Sequence, residues 1–223
     1  MNEKLEIQEN FTRIKDSLTQ NVELVAVSKT HPIDKILMVY EMGQKTFGEN
    51  KVQELVEKEN LLPKDIQWHL IGHLQTNKVK YIAPFVDTIQ SVDSKKLLEE
   101  INKQALKNDR KIKIYLQIKI AEEETKSGLE IHEANEIFES YLKGDFQNVE
   151  LKGLMGIATF TDDKNQTKTE FLKLKSIFDE MNQKYPLEIL SMGMSDDYLL
   201  AIECGANSVR VGSSIFGHRN YQN

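Results

Sequence analysis

Cysteine is almost missing from this chain: Cys204 stands alone among 223 residues. A single thiol excludes an intramolecular disulfide and argues against cysteine-rich zinc or iron–sulfur sites, so the expected setting is cytoplasmic. Positive charge is also short. The net charge is -6 and the pI about 5.5, and such a field favours neither nucleic acid nor an anionic membrane as a partner. Long apolar runs are lacking as well. No stretch approaches the roughly 20 residues that span a bilayer, and the charged start Met1-Asn-Glu-Lys-Leu-Glu6 has no signal core. There is no internal repeat and no Gly/Pro/Ser linker. The expectation is therefore one domain over residues 1–223, within the roughly 200 to 250 residues common for a single α/β barrel.

What is present is an alternation. Short apolar runs at Leu24–Ser28, Thr46–Phe47, Trp68–Ile71, Thr88–Ser91, Ile112–Ile118, Gly153–Ile157, Ile189–Met192 and Ser208–Val211 read as strands. Helical stretches lie between them, near Ile33–Met42, Val52–Glu59, Lys78–Ala83, Lys95–Lys107, Ile131–Tyr141, Thr167–Gln183 and Asp197–Cys204. Parallel strands joined by helical crossovers follow from that order, and eight of them can close on themselves. The expected fold is α/β, a single (β/α)8 TIM barrel. An extra N-terminal helix, about Glu3–Leu18, presents Leu5, Ile7, Phe11, Ile14 and Leu18 on one face and should pack on the barrel's outside or bottom. The polar stretches Ala121–Lys126 and Thr161–Gln166 read as loops, and the acidic run Glu122–Glu124 as a solvated one without a metal.

Chemistry concentrates at the ends of the strands. Lys29 closes the first, where an amine with a lowered pKa forms an imine with an aldehyde or ketone. Lysines also close strands simply to reach solvent, so the residue needs company. Glu49-Asn50 follows the second strand, Gly72-His73 the third, Ser191–Ser195 the seventh and Arg210–Ser214 the eighth. Active sites of parallel barrels form at the C-terminal ends of strands, with phosphate commonly after strands seven and eight. Gly193 and Gly212 let backbone N–H groups approach phosphate oxygens, and Ser195 and Ser213 add hydroxyls. Taken singly, Ser195-Asp196 is also an ordinary helix cap and Gly212-Ser213 an ordinary turn.

Six motifs then occur in one order: Val27-Ser-Lys-Thr30; Phe47-Gly-Glu-Asn50 with Gln53-Glu54; Trp68 to Lys78; Gly153-Leu-Met-Gly156; Leu190 to Asp196; and Val209 to Gly217. Together they closely resemble the YggS/PROSC pyridoxal phosphate homeostasis family. The resemblance implies a barrel like the N-terminal domain of alanine racemase, binding pyridoxal 5'-phosphate as a Schiff base on Lys29. It sets Asn50 beside the cofactor ring. It gives Ser191, Met192, Gly193, Met194 and Ser195 to the phosphate cup with Gly212 and Ser213, and Arg210 to the pyridine nitrogen or the phosphate. His73 has an inward-facing counterpart in the family, although a lone histidine after a strand is more often structural; Met155 is a candidate for packing on the ring, or core filler. His69 reads as structural. Lys51 replaces a common tyrosine, Gly156-Ile-Ala-Thr159 a proline-bearing turn, and Ser213 a threonine that leaves the hydroxyl in place.

The implied function is a non-catalytic cofactor carrier and regulator, with pyridoxal phosphate-dependent apoenzymes as recipients and a monomeric state. The alternative is an amino-acid racemase-like enzyme, which needs a second acid–base across the ring; with the chain ending at Asn223, no second domain is expected to supply it. An aldolase-type lyase, whose imine forms with substrate, usually draws its lysine from a middle strand. An arginine beside the pyridine nitrogen would keep it unprotonated and weaken the ring as an electron sink.

Overall fold

A computed structural model describes residues 3–123 and 127–217. Glu124, Thr125 and Lys126, part of the acidic loop, lie outside the described residues.

The chain starts with helix α1 (Glu3–Ser17) and then alternates: β1 (Glu23–Val27), α2 (Ile33–Glu41), β2 (Thr46–Glu49), α3 (Val52–Leu61), β3 (Gln67–Leu70), α4 (Val79–Ile82), β4 (Thr88–Val92), α5 (Lys95–Lys107) and β5 (Ile112–Ile118). It continues through α6 (Ile131–Leu142), β6 (Val149–Gly156), α7 (Lys164–Asn182), β7 (Ile189–Ser191), α8 (Tyr198–Glu203), β8 (Ser208–Val211) and α9 (Ser213–Phe216). Each strand pairs in parallel with the next, and β8 returns to β1 with Glu23 to Ala26 opposite Ser208 to Val211, closing the barrel. The expected (β/α)8 fold is the observed one.

Strands covered by helices on one face and filled by side chains on the other read as continuous apolar runs, and β1, β2, β4 and β8 are buried almost throughout. The helices supply the outer layer through one apolar face each. On α5, Leu97, Leu98, Ile101 and Ala105 are buried, and Ser94 starts the helix by accepting the Leu97 N–H. Helix α7 begins three residues before the expected Thr167, because the Asp163 carboxylate caps it by accepting from Asn165 and Gln166 N–H. Strand β6 begins at Val149, four residues before the expected Gly153; its outward Glu150 and Lys152 hide the start. Gly153 leaves no room for a Cβ against the Ile189 backbone, which lets β6 and β7 pair.

Helix α1 lies on the outside of the barrel. It buries Ile7, Phe11 and Ile14 against α2 and α9, while Leu5 of the expected stripe stays exposed. Asn10 and Arg13 reach the carbonyls of Ile215 and Ser214 on α9. Among the described residues no helix is long and apolar enough to cross a membrane, and no cluster of His, Cys, Asp and Glu is placed to hold a metal ion.

Candidate functional site

The loop after β1 is a tight turn. His31 N–H closes onto the Ser28 carbonyl at 3.0 Å, and Thr30 between them takes the left-handed conformation at φ 67°. Few side chains tolerate that region unless their surroundings impose it. Here the imposing group is α3. Lys58 donates to the Ser28 carbonyl (2.8 Å), to Glu49 Oε1 (2.7 Å) and to Glu54 Oε1 (2.7 Å), and Glu54 accepts the Thr30 N–H. Both peptide groups flanking Lys29 are thus tied to one Lys58–Glu54 ion pair at i, i+4 spacing. Beneath it, Glu49 is fully buried, takes the Ser28 hydroxyl at 2.6 Å, and has a second carboxylate oxygen with no partner. Burial pushes the Glu49 carboxyl up, against the pull of the Lys58 charge.

Lys29 is half-buried in the wall of a cavity of about 240 Å³ at the C-terminal end of the barrel. Val27, Ile71 and Ile157, from the ends of β1, β3 and β6, give it an apolar side; Asn50 follows β2. The Asn50 backbone sits so close to Gly72 that a Cβ there would collide with it. On the β8 side of β1, the loops after β7 and β8 meet. Ser195 Oγ accepts the N–H groups of Gly212 (3.2 Å) and Ser214 (3.4 Å), so backbone donors converge on a single oxygen at the cavity wall. Gly193 makes that loop possible: it turns at φ 93°, and a Cβ would strike Ala201 and Tyr198. Arg210 on β8 reaches the same cavity although it is only 4% exposed. It donates to Ser191 Oγ at 2.6 Å and to the Gly156 carbonyl at 2.9 Å, and burial brings its pKa down to about 10. The Asp197 carboxylate opposes that fall through its charge without forming a direct ion pair with the guanidinium.

A half-buried amine, a cradle of N–H donors and a buried guanidinium on one small cavity suit a compact anion that carries a carbonyl. Residues 4–220 match the family described as alanine racemase, N-terminal domain. A pyridoxal phosphate homeostasis protein of Aquifex aeolicus (strain VF5) is 42% identical over 202 residues, covering 89% of this chain and 88% of that protein. The chain belongs to the pyridoxal phosphate homeostasis protein family. The structure of PipY of Synechococcus elongatus PCC7942, described with PLP bound, is 35% identical with a TM-score of 0.85, covering 95% of this chain and all of that one. An alanine racemase of Clostridium difficile 630 is 14% identical with a TM-score of 0.76 over 60% of its own length, a likeness of fold alone.

Of the residues singled out from sequence, the cavity gathers Lys29, Asn50, Met194, Ser195, Arg210, Gly212 and Ser213. The others stand apart from its wall. His73 is largely exposed and pairs with Asp93 at 3.0 Å. Met155 and Met192 are fully buried, Gly193 shapes the loop from behind, and the Ser191 hydroxyl is engaged inside the barrel by Arg210 and Gln90. Lys51, at the start of α3, is exposed and off the wall. His31 went unassigned in the sequence, yet it lines the cavity and stacks on Phe216 with ring centroids 4.9 Å apart. Its signal was position: it shares the four-residue turn that carries Lys29.

Proposed function

We propose that this protein binds pyridoxal 5'-phosphate reversibly through a Schiff base on Lys29 and serves intracellular pyridoxal phosphate homeostasis as a carrier and regulator, not as a catalyst. One observation carries the reading: Lys29 and the loop pair in which Ser195 Oγ gathers the Gly212 and Ser214 N–H groups border one cavity, with Lys29, Ser195 and Gly212 all in its wall. When bound, the cofactor supplies an aldehyde that a neutral amine captures and releases. Lys29 offers the amine. The N–H groups of Gly212 and Ser214, now satisfied by a hydroxyl oxygen, offer the donor set a phosphate oxygen requires. Val27, Ile71 and Ile157 exclude water from the amine's side, and Asn50, following the neighbouring strand β2, supplies an amide to the same wall.

Arg210 supports the carrier role. A buried cation attracts phosphate and disfavours a proton on any basic nitrogen beside it, whereas pyridoxal enzymes that stabilise carbanions commonly pair that nitrogen with a carboxylate. The reading extends to pyridoxal phosphate-dependent apoenzymes as recipients, and to a single-domain monomer working in the cytoplasm. A barrel without open strand edges supports the monomer.

The test is an absorbance spectrum of wild type and Lys29→Ala with added pyridoxal 5'-phosphate, followed by borohydride reduction, mass mapping and an alanine racemisation assay. The expected result is an imine band and an adduct on Lys29 in wild type, both lost in the variant, without sustained racemisation. An adduct spread over surface lysines would overturn the site, and steady racemisation would overturn the carrier role.

A further inference from the structure

Arg210 is the pocket end of a buried chain of polar side chains that crosses the barrel. Arg210 Nη1 donates to Ser191 Oγ at 2.6 Å; Ser191 Oγ donates to Gln90 Oε1 at 2.7 Å; Gln90 Nε2 lies 2.8 Å from His69 Nδ1; and His69 Nε2 lies 3.6 Å from Asp87 Oδ2. Ser191 is on β7 and Gln90 on β4, strands that are not neighbours in the closed barrel, so their bond passes through its interior. Gln90 and Ser191 are fully buried and His69 is 2% exposed. Asp87 precedes β4 at the opposite end from the cavity, where the Thr88 hydroxyl and Lys113 also reach it.

We propose that Gln90 and His69 are positioning residues for Arg210, acting through Ser191 along a one-way hydrogen-bond relay from the pocket to the base of the barrel. The direction follows from the two ends. A guanidinium only donates, so the Ser191 oxygen must accept from Arg210 and its single proton must go onward to Gln90 Oε1. That fixes the amide: its NH₂ faces His69, whose Nδ1 must accept, which leaves the ring proton on Nε2 toward Asp87. An ionised carboxylate only accepts, and it completes the series. The opposite amide orientation would set two donors, Arg210 and Gln90, against Ser191 and strand its proton in the core, an unsatisfied group in a low-dielectric interior. The relay, together with the Nη2 bond to the Gly156 carbonyl, therefore holds Arg210 in one orientation at the cavity wall. It also explains why the Ser191 hydroxyl is turned away from the phosphate cradle.

The first arm of the test uses ligand-free protein and does not depend on the proposed function. Long-range ¹H–¹⁵N correlations of the His69 ring should show an acceptor-type Nδ1 and a protonated Nε2; a proton on Nδ1 would overturn the relay. The second arm rests on the proposed function. In Gln90→Leu the pyridoxal 5'-phosphate dissociation constant should rise roughly tenfold, the scale of one lost buried hydrogen bond, and the visible band should shift, while borohydride still fixes the adduct on Lys29. Gln90→Glu keeps an acceptor for Ser191 and should recover most of the affinity; it also serves if the leucine variant does not fold. Unchanged affinity and band in folded Gln90→Leu, or equal losses in both variants, would refute positioning through Ser191. Failure of wild type to take up the cofactor would sink the proposed function, and the ring tautomer would still decide the relay.

Discussion

Gly72 has no side chain, and the backbone of Asn50 occupies the space one would need. Gly72→Ala must therefore push Asn50 out of the cavity wall or distort the end of β3. The expected cost is about 1–3 kcal/mol of stability, as for other overpacked sites, with weaker pyridoxal 5'-phosphate retention and the Lys29 adduct still formed; urea unfolding and a binding titration would measure the two. A variant with normal stability and retention would show that Asn50 has no part in the site. Individual residues were legible where their chemistry requires a particular atom. Lys29, Asn50, Arg210, Ser195 and Gly212, singled out as amine, amide, guanidinium and backbone cradle at strand ends, do meet at one cavity wall. Ser191 and Met155 lie buried off that wall, since a side chain on a barrel strand faces either the cavity or the interior below it, and sequence position does not record the depth.

At the scale of elements, α3 does for the β1 loop what no residue in that loop does for itself. Its Lys58–Glu54 pair holds the peptide groups on both sides of Lys29, and Lys58 also neutralises the buried Glu49. Lys58→Met leaves Glu49 buried without its cation, which should cost about 3–5 kcal/mol and slow adduct formation at Lys29. Because burial already raises the Glu49 pKa, losing Lys58 raises it further; the variant's deficit should then be smallest in mild acid and grow as pH rises through the folded Glu49 value. Adding Glu49→Gln to Lys58→Met should restore much of the loss, since it removes the stranded charge. Urea midpoints across pH would decide, and a deficit independent of pH would exclude Glu49 as its source. This arrangement was hidden in the sequence. Glu54 and Lys58 look like any surface i, i+4 pair, and only the fold brings the β1 loop under them. The helix limits show the same rule on a smaller scale: apolar periodicity located α7, but its true start depended on the Asp163 cap, which reads equally well as a loop residue.

At the scale of the molecule, alternating apolar runs and amphipathic stretches were enough to read parallel strands with helical crossovers, because parallel neighbours cannot be joined by tight turns. Closure of β8 onto β1 belongs to the whole barrel and leaves no periodic trace of its own. The interior relay is likewise a product of closure, since β4 and β7 approach one another only across a closed sheet. Its base gives a prediction for the whole fold. Burial opposes ionisation of Asp87, yet the His69 ring, the Thr88 hydroxyl and the Lys113 amine prevail and hold its pKa well below the ordinary 3.8. A carboxyl depressed in the folded state adds stability above its unfolded pKa and loses it as pH falls through the folded value. The stability gap between wild type and Asp87→Asn should be constant from about pH 6 to pH 8 and close as pH drops below about 4, where the unfolded carboxyl takes its proton. Asparagine keeps an acceptor for Thr88, so the closing gap isolates the charge. Unfolding free energies at matched ionic strength would measure it. A gap that persisted undiminished well below the ordinary carboxyl range would mean that shape and hydrogen bonding at the base stabilise the barrel and that the anion does not.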